Sequence, residues 1–268
     1  MPVSEPLPVL RLLGHALRDV LGNLGGLARI AWPYYALAAA CVVGAHTLGG
    51  SSGVAEFMAF LLAPGMGSLI AGLAVLACTV KWQRHAILGE PLRGTAPLNG
   101  RVARYALWSL ALTLLCGVPF FGAGALGLAT QLISWDHHAA PPFAAGPPGL
   151  ALVGAGALLA FFLMARLSAF LPGVSVDDRG LGLRRTWQLS RGQGLRLLAL
   201  FVLLALAAGL VGAARWLLDA LVPDGGGAMA ETFTTAAKML MDLLSGVFGG
   251  SVTAGIYRHL VPAPPGAS

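Results

Sequence analysis

Two short stretches of this sequence contain residues of the types that catalyse reactions or bind metals. Asp136-His137-His138 places three metal-ligand types in a row, but adjacent residues chelate poorly as a complete site. The segment 49–53 fits the pattern G-x-S-x-G around Ser51, yet a nucleophile elbow needs a strand, a turn and a helix around it. We therefore predict no catalytic residue, no metal site and no cofactor, and we expect that the protein is not an enzyme.

Proline and glycine interrupt two of the apolar stretches. Pro64 and Gly65 lie in one of them, and Gly117 and Pro119 lie in the next. A discontinuous membrane helix offers backbone groups to a substrate, whereas a plain kink is tolerated because neighbouring groups re-satisfy the freed backbone. We favour kinks, and we expect any cavity to lie beside these two segments.

A few charged residues lie inside or beside the apolar stretches, where charge is costly. Arg166 comes ~25 Å into its stretch at 1.5 Å per residue, so it reaches the inner headgroups and can snorkel there. Arg215 lies near the outer end of another stretch. Lys238 and Asp242 are spaced i, i+4, so we expect them to pair on one helix face. None of these charges falls at the midplane, which disfavours proton-coupled transport.

The elements that position these residues are predicted to be membrane helices. The chain has 268 residues, of which 57% are hydrophobic and 10% are charged, and its mean hydropathy is +0.77. Soluble domains contain about 25% charged residues, so lipid is the solvent that suits this composition. A span needs about 20 apolar residues. Six stretches qualify: 30–48, 57–80, 105–130, 150–171, 197–218 and 239–257.

The distribution of basic residues predicts an orientation. Segments 1–29, 81–104 and 173–196 contain the loop arginines and lysine, and Arg258 follows the last span. The alternate loops contain neither lysine nor arginine. Because cytoplasmic loops are enriched in basic residues, we predict a bacterial inner-membrane protein with both termini in the cytoplasm. The net charge is +6, but the basic residues flank the apolar stretches and form no separate basic domain. Nucleic acid is therefore not expected as a partner.

Two cytoplasmic stretches, 9–21 and 181–191, are predicted to be amphipathic helices that precede spans one and five. Their basic residues suit an anionic inner leaflet, which we expect to be a partner of the chain. The alternative is a cytoplasmic cap that packs on the bundle. The predicted fold is all-α, with six spans arranged as three hairpins in one membrane domain, 1–268. Units 9–88 and 181–262 are candidates for a parallel repeat around a central hairpin, 102–172.

Small residues recur every four positions on span six, at Gly246, Gly250 and Ala254. Such faces let helix backbones approach closely. Packing within one chain is the interpretation we favour, and a seam between two copies of the chain is the alternative.

Several short motifs are spread over residues 9–260. They are Lys81-Trp82-Gln83-Arg84 with Leu88-Gly89-Glu90, Ala165-Arg166-Leu167 with Leu171-Pro172, 187–192, and Tyr257-Arg258-His259. With these motifs the chain resembles a broad group of uncharacterised bacterial inner-membrane proteins, which is similar to the membrane domain of some glycerophosphodiester phosphodiesterases. The resemblance implies a membrane architecture and no reaction. Arg84, Arg166, Trp187 and Arg258, which lie within these motifs, are candidate functional or packing residues.

The function predicted from the sequence is that of a non-enzymatic accessory or scaffold component in envelope or lipid homeostasis, which assembles with itself or with a partner membrane protein. The alternative is a small-molecule permease that uses the Pro/Gly segments of spans two and three.

Overall fold

The computed structural model describes residues 7–48, 66–133, 147–221 and 227–261. Helices account for 86% of these residues, and no strand is found among them. In chain order the helices are α1 (Val9–Gly22), α2 (Leu24–Leu48), α3 (Ser68–Leu88), α4 (Gly100–Ile133), α5 (Pro147–Leu167), α6 (Phe170–Ser175), α7 (Leu183–Leu189), α8 (Gly194–Leu221) and α9 (Gly227–Leu260).

Four helical segments within the described residues are long and apolar enough to cross a membrane. They are Gly100–Gly122, Val153–Ser175, Gly194–Leu221 and Thr232–Leu260, and they match predicted spans three to six. Predicted span one coincides with α2. Predicted span two coincides only in its second half with α3, because 57–65 lies outside the described residues. The described residues are therefore all-helical, with four helices long and apolar enough to cross a membrane, and the count of six spans stays a prediction.

The long helices pack in an order that differs from their order along the chain. α4 packs closely against α5, as expected for a hairpin. α9 packs chiefly against α3, and α8 packs chiefly against α5, although α8 and α9 are consecutive. α2 lies against both α3 and α9. The tightest contacts of the last two spans are thus made with other parts of the chain.

Glycines make the close approach of α3 and α9 possible. A Cβ atom at Gly246 would lie 2.5 Å from Val75 Cγ1, and one at Gly250 would lie 3.0 Å from Thr79 Cγ2. Ala254, on the same face, is fully buried. The prediction that this small-residue face packs within one chain is confirmed, because α3 occupies it.

The predicted amphipathic helix 9–21 is present as α1, and it has two apolar faces. Ala16 and Val20 are buried, and α1 packs chiefly on α9, where Ala16 shares an apolar cluster with Val252 and Ile256. Leu10, Leu17 and Leu21 lie on the other face and are 78%, 51% and 59% exposed. α1 therefore packs on the bundle as a cap and also carries an outward leucine stripe, and contact of that stripe with lipid stays a prediction.

The second predicted amphipathic helix is shorter than expected. It forms α7, which packs against the end of α5 with Thr186 fully buried. Of the two interpretations, a cap that packs on the bundle describes α7.

Candidate functional site

The carboxyl ends of α3 and α9, the amino ends of α4 and α8, and α1, α6 and α7 all meet at one end of the bundle. We call this the basic end, because the arginine-rich segments 81–104 and 173–196, which are predicted to be cytoplasmic, lie here. The hydrogen bond from Leu7 N to Gln193 Oε1, at 3.2 Å, ties the segment before α1 to the turn before α8. Candidate functional residues from four separate motifs lie at this end.

Arg166 and Trp187 are brought together here, 21 residues apart in the sequence. The guanidinium carbon of Arg166 lies 3.8 Å from the centroid of the Trp187 ring, a cation–π distance. Arg166 also donates to Trp187 O at 2.9 Å and to Ser190 Oγ at 3.1 Å. Arg166 therefore fixes α7 against the end of α5. Its guanidinium charge interacts with groups of the protein, namely Ser190 and Trp187.

Arg84, at the end of α3, forms a bidentate pair with Glu90. Its Nε donates to Glu90 Oε2 at 2.8 Å and its Nη2 donates to Glu90 Oε1. Gly89 makes this pair possible, since its φ of +70° turns the chain back over α3, a conformation that glycine adopts without strain. The pairing with Arg84 lowers the pKa of the Glu90 carboxyl from its usual value, because the carboxylate accepts these charged hydrogen bonds.

Asp177 joins this pair to the start of α4. Arg101 Nε donates to Asp177 Oδ2 at 2.8 Å, and Arg104 Nη1 donates to Oδ1 at 3.0 Å. Arg84 reaches the same carboxylate at 3.8 Å and also donates to Ser175 O at 3.1 Å. The φ of Asp177 is +59°, a left-handed conformation that aspartate tolerates better than most residues. One carboxylate thus holds three arginines from α3 and α4 against the turn after α6.

Asp178 holds the end of α9 in the same way. Its Oδ2 accepts from Tyr257 Oη at 2.8 Å, and its Oδ1 accepts from Gly180 N at 2.9 Å. Arg258, the candidate chosen from the sequence, is exposed, and its neighbour Tyr257 makes the contact. Glu90, Asp177 and Asp178 are site residues that were not predicted from the sequence. The sequence feature that could have predicted them is that they are carboxylates within otherwise basic loops.

Lys81 organises the loop between α3 and α4. Its ammonium donates to the carbonyls of Arg93, Gly94 and Thr95, the last two at 3.1 and 3.0 Å. Between this loop and the helices lies a cavity of about 230 Å³ lined by Lys81, Arg84 and Arg101. Each of these cations already has an oxygen partner, so the walls of the cavity are set before any ligand arrives.

A buried polar layer lies directly behind the ion pairs. Trp82 Nε1 donates to Ser251 Oγ, and Gln83 Nε2 donates to Tyr105 Oη at 3.3 Å and to Thr253 Oγ1 at 3.2 Å. Gln83 Oε1 is the one buried side-chain oxygen without a partner in the described residues. These bonds connect α3, α4 and α9 at one level.

A second group of charges lies at the opposite end of the bundle. The predicted pair Lys238–Asp242 within α9 is wrong, because each residue pairs with α8 instead. Arg215 bonds Asp242, and Lys238 bonds Asp219. The i, i+4 spacing allows the local pair, but the cross-helix partners lie closer in space. Both pairs are consistent with the predicted outer ends of the last two spans.

The Pro/Gly segments are only partly described. Pro64 and Gly65 lie outside the described residues, as do Ser51 and Asp136-His137-His138. Gly117 and Pro119 lie inside α4, which continues through them without a break. A Cβ atom at Gly117 would lie only 2.9 Å from Cε2 of the Phe121 ring. Among the residues that the structure describes, no group of His, Cys, Asp and Glu could hold a metal ion.

Comparison of this chain with models of protein families, with curated proteins and with solved structures finds no match.

Proposed function

We propose that this chain is a non-enzymatic, multi-pass protein of a bacterial inner membrane, with both termini in the cytoplasm. We propose further that it serves as an accessory or scaffold component in envelope or lipid homeostasis. The observation that carries the proposal is the ion-pair cluster around Asp177 and Glu90, which ties helices α3, α4 and α6 into one fixed surface at the basic end. A scaffold needs a surface whose shape is held before its partner arrives.

The positions of the charges in the apolar helices support the same function. Along α8, Arg196 and Arg215 are separated by about 28 Å of helix axis at 1.5 Å per residue, which is close to the ~30 Å thickness of a hydrocarbon core. Arg215 and Asp242 therefore pair near the level of the headgroups. A carrier driven by protons usually places such groups at the midplane, where they change partners during transport.

The outward face of α1 supports a location beside the inner leaflet. Leu10, Leu17 and Leu21 form an apolar stripe on a helix that also carries Arg11 and Arg18. A basic helix with an exposed apolar stripe inserts that stripe at the boundary between headgroups and acyl chains. Anionic lipids attract the arginines.

A permease remains the competing function, but the continuity of α4 weakens its basis. A substrate site built on a discontinuous helix needs freed backbone groups, and the residues around Pro119 stay helical. Of the two Pro/Gly segments, the one with Pro64 and Gly65 lies outside the described residues.

Flux measurements separate the two functions. Purified protein is placed in vesicles, and the uptake of labelled ions, amino acids, sugars and organic anions is measured against empty vesicles. We expect no uptake above the control. Saturable uptake of any of these solutes, lost when Pro64 and Gly65 are replaced by alanine while the protein still inserts, would refute the scaffold function.

A crosslinking experiment tests the scaffold surface directly. A photoreactive residue is placed at Arg179, exposed at the basic end, or at Leu221, exposed at the opposite end. We expect one defined crosslinked partner from position 179, and a weaker crosslink when Asp177→Asn removes the charge that orders the surface. Equal crosslinks with and without Asp177→Asn would argue against a preformed surface.

A further inference from the structure

A cleft of about 760 Å³ lies between α3, α8 and α9, away from the basic end. Its wall on α3 runs from Ser68 to Leu76, which is ~12 Å of helix at 1.5 Å per residue. Arg215 of α8 and Lys238 and Asp242 of α9 stand at the same cleft. The cleft does not overlap the ion-pair cluster at the basic end.

The cleft combines two kinds of surface. Leu69, Leu73 and Leu76 make its α3 wall apolar. Arg215, Lys238 and Asp242 form the charged side of the cleft. Arg215 pairs with Asp242, and Lys238 pairs with Asp219, which does not itself line the cleft; the four side chains remain 26–56% exposed. The lining therefore supplies two cations and one carboxylate, and the second carboxylate, Asp219, is bonded to Lys238. Together the two pairs carry no net charge and offer both donors and acceptors.

We propose that this cleft binds one phospholipid whose headgroup carries both a phosphate and a primary ammonium. An acyl chain lies along the leucines of α3, the phosphate faces Arg215 and Lys238, and the ammonium faces Asp242. Guanidinium and ammonium groups bind phosphate oxygens well, and a primary ammonium donates to carboxylates. The ligand thus matches both signs of charge and the apolar wall.

Charge complementarity favours this headgroup over a purely anionic one. Each cation of the cleft already faces a carboxylate, so a headgroup with phosphate alone would leave Asp219 and Asp242 without a positive partner. Unpaired charge near the hydrocarbon region is costly. In a headgroup with both charges, the phosphate pairs with a cation of the cleft, and the ammonium pairs with the carboxylate that this cation leaves.

This inference rests on the membrane location in the proposed function, but not on the scaffold role. It is tested by filling the cleft. A Cβ atom at Gly72, in the α3 wall, meets nothing within 4 Å, so Gly72→Phe introduces a large side chain at the cleft from an open backbone position. The matched control is Gly209→Phe on α8, where a Cβ atom also meets nothing within 4 Å and which does not line the cleft.

The protein is purified in mild detergent and incubated with an equal mixture of phosphatidylethanolamine and phosphatidylglycerol. Retained lipid is then counted by native mass spectrometry. We expect the unmodified protein and Gly209→Phe to retain one phosphatidylethanolamine, and we expect Gly72→Phe to retain at least tenfold less. A second variant, Arg215→Gln with Asp242→Asn, should lose most of its preference for phosphatidylethanolamine over phosphatidylglycerol.

Equal retention of phosphatidylethanolamine by Gly72→Phe and the control would overturn the inference. So would equal retention of the two lipids by the unmodified protein, which would indicate an ordinary lipid annulus. Either result leaves the scaffold proposal intact when the protein stays in the membrane after alkaline extraction. Solute uptake in the vesicle experiment would refute the scaffold role and leave the lipid site standing.

Discussion

A single methyl group at Gly246 is expected to separate α3 from α9 and to destabilise the bundle. The Cβ of Gly246→Ala would lie 2.5 Å from Val75 Cγ1, well inside the ~3.5–4.0 Å at which carbon atoms attract each other. The Val75 methyl group is attached directly to a branched Cβ atom, so it has little freedom to move away. The helices must therefore shift.

The size of the effect follows from two opposing contributions. Overpacking of a tight contact costs about 1–3 kcal/mol, and replacing glycine by alanine within a helix contributes up to about 1 kcal/mol in the other direction. We expect a net loss of about 1–2 kcal/mol in the free energy of unfolding. At Gly249, three residues along the same helix, a Cβ atom meets nothing within 4 Å. Gly249→Ala is therefore expected to be neutral or slightly stabilising.

The assay is reversible unfolding in mixed micelles at rising dodecyl sulfate content, followed by circular dichroism. Val75→Ala removes the methyl group that Gly246→Ala meets, so the double variant should recover part of the loss, with a coupling energy of about 1 kcal/mol or more. The reasoning is refuted if Gly246→Ala and Gly249→Ala change stability equally. It is also refuted if Val75→Ala and Gly246→Ala are additive.

Three further predictions concern the basic end. The pKa of Glu90 is lowered in the folded protein, so its stabilisation is present above the ordinary carboxyl pKa of 4.5 and is lost as pH falls through the lowered pKa. In Glu90→Gln the free energy of unfolding should therefore fall less between neutral and acidic pH. Because the Glu90 side chain is 43% exposed, we expect this difference to be only about 1 kcal/mol or less. Arg166→Lys should cost about 1 kcal/mol in thermal unfolding, since lysine loses both the stack and the forked hydrogen bonds; an unchanged transition would contradict this contact. Leu17→Ser with Leu21→Ser should speed amide hydrogen exchange of α1 in vesicles but not in detergent. Val20→Ser, on the buried face of α1, should speed this exchange in both. Identical exchange in the two variants would argue against two distinct faces.

Local patterns were sufficient to predict much of the fold. The length and hydropathy of the apolar stretches predicted helices that match α4, α5, α8 and α9, because in lipid the backbone has few alternatives to a helix. The periodicity of residues 9–21 predicted α1 for the same local reason. Spans one and two, the bacterial inner membrane, the repeat and the resemblance to a known group stay predictions.

The candidate site was predicted only in part, because its contacts join residues far apart in the sequence. Arg166 and Trp187 were both selected, yet nothing local indicates that one stacks on the other. Asp177 meets Arg101 and Arg104 across more than 70 residues, and this contact depends on how α4 and α6 pack. The pairing within α9 was predicted wrongly for the related reason that spacing on one helix says nothing about a neighbouring helix.

The orientation of the basic end is the most direct test of the account. The three cysteines are replaced by alanine, and single cysteines are introduced at Arg179, in the basic loop, and at Leu221, the last residue of α8. Intact cells with a permeable outer membrane are treated with a membrane-impermeant maleimide. The account predicts labelling of Leu221→Cys in intact cells and of Arg179→Cys only after the inner membrane is opened. Labelling of Arg179→Cys in intact cells, with Leu221→Cys protected, would contradict it.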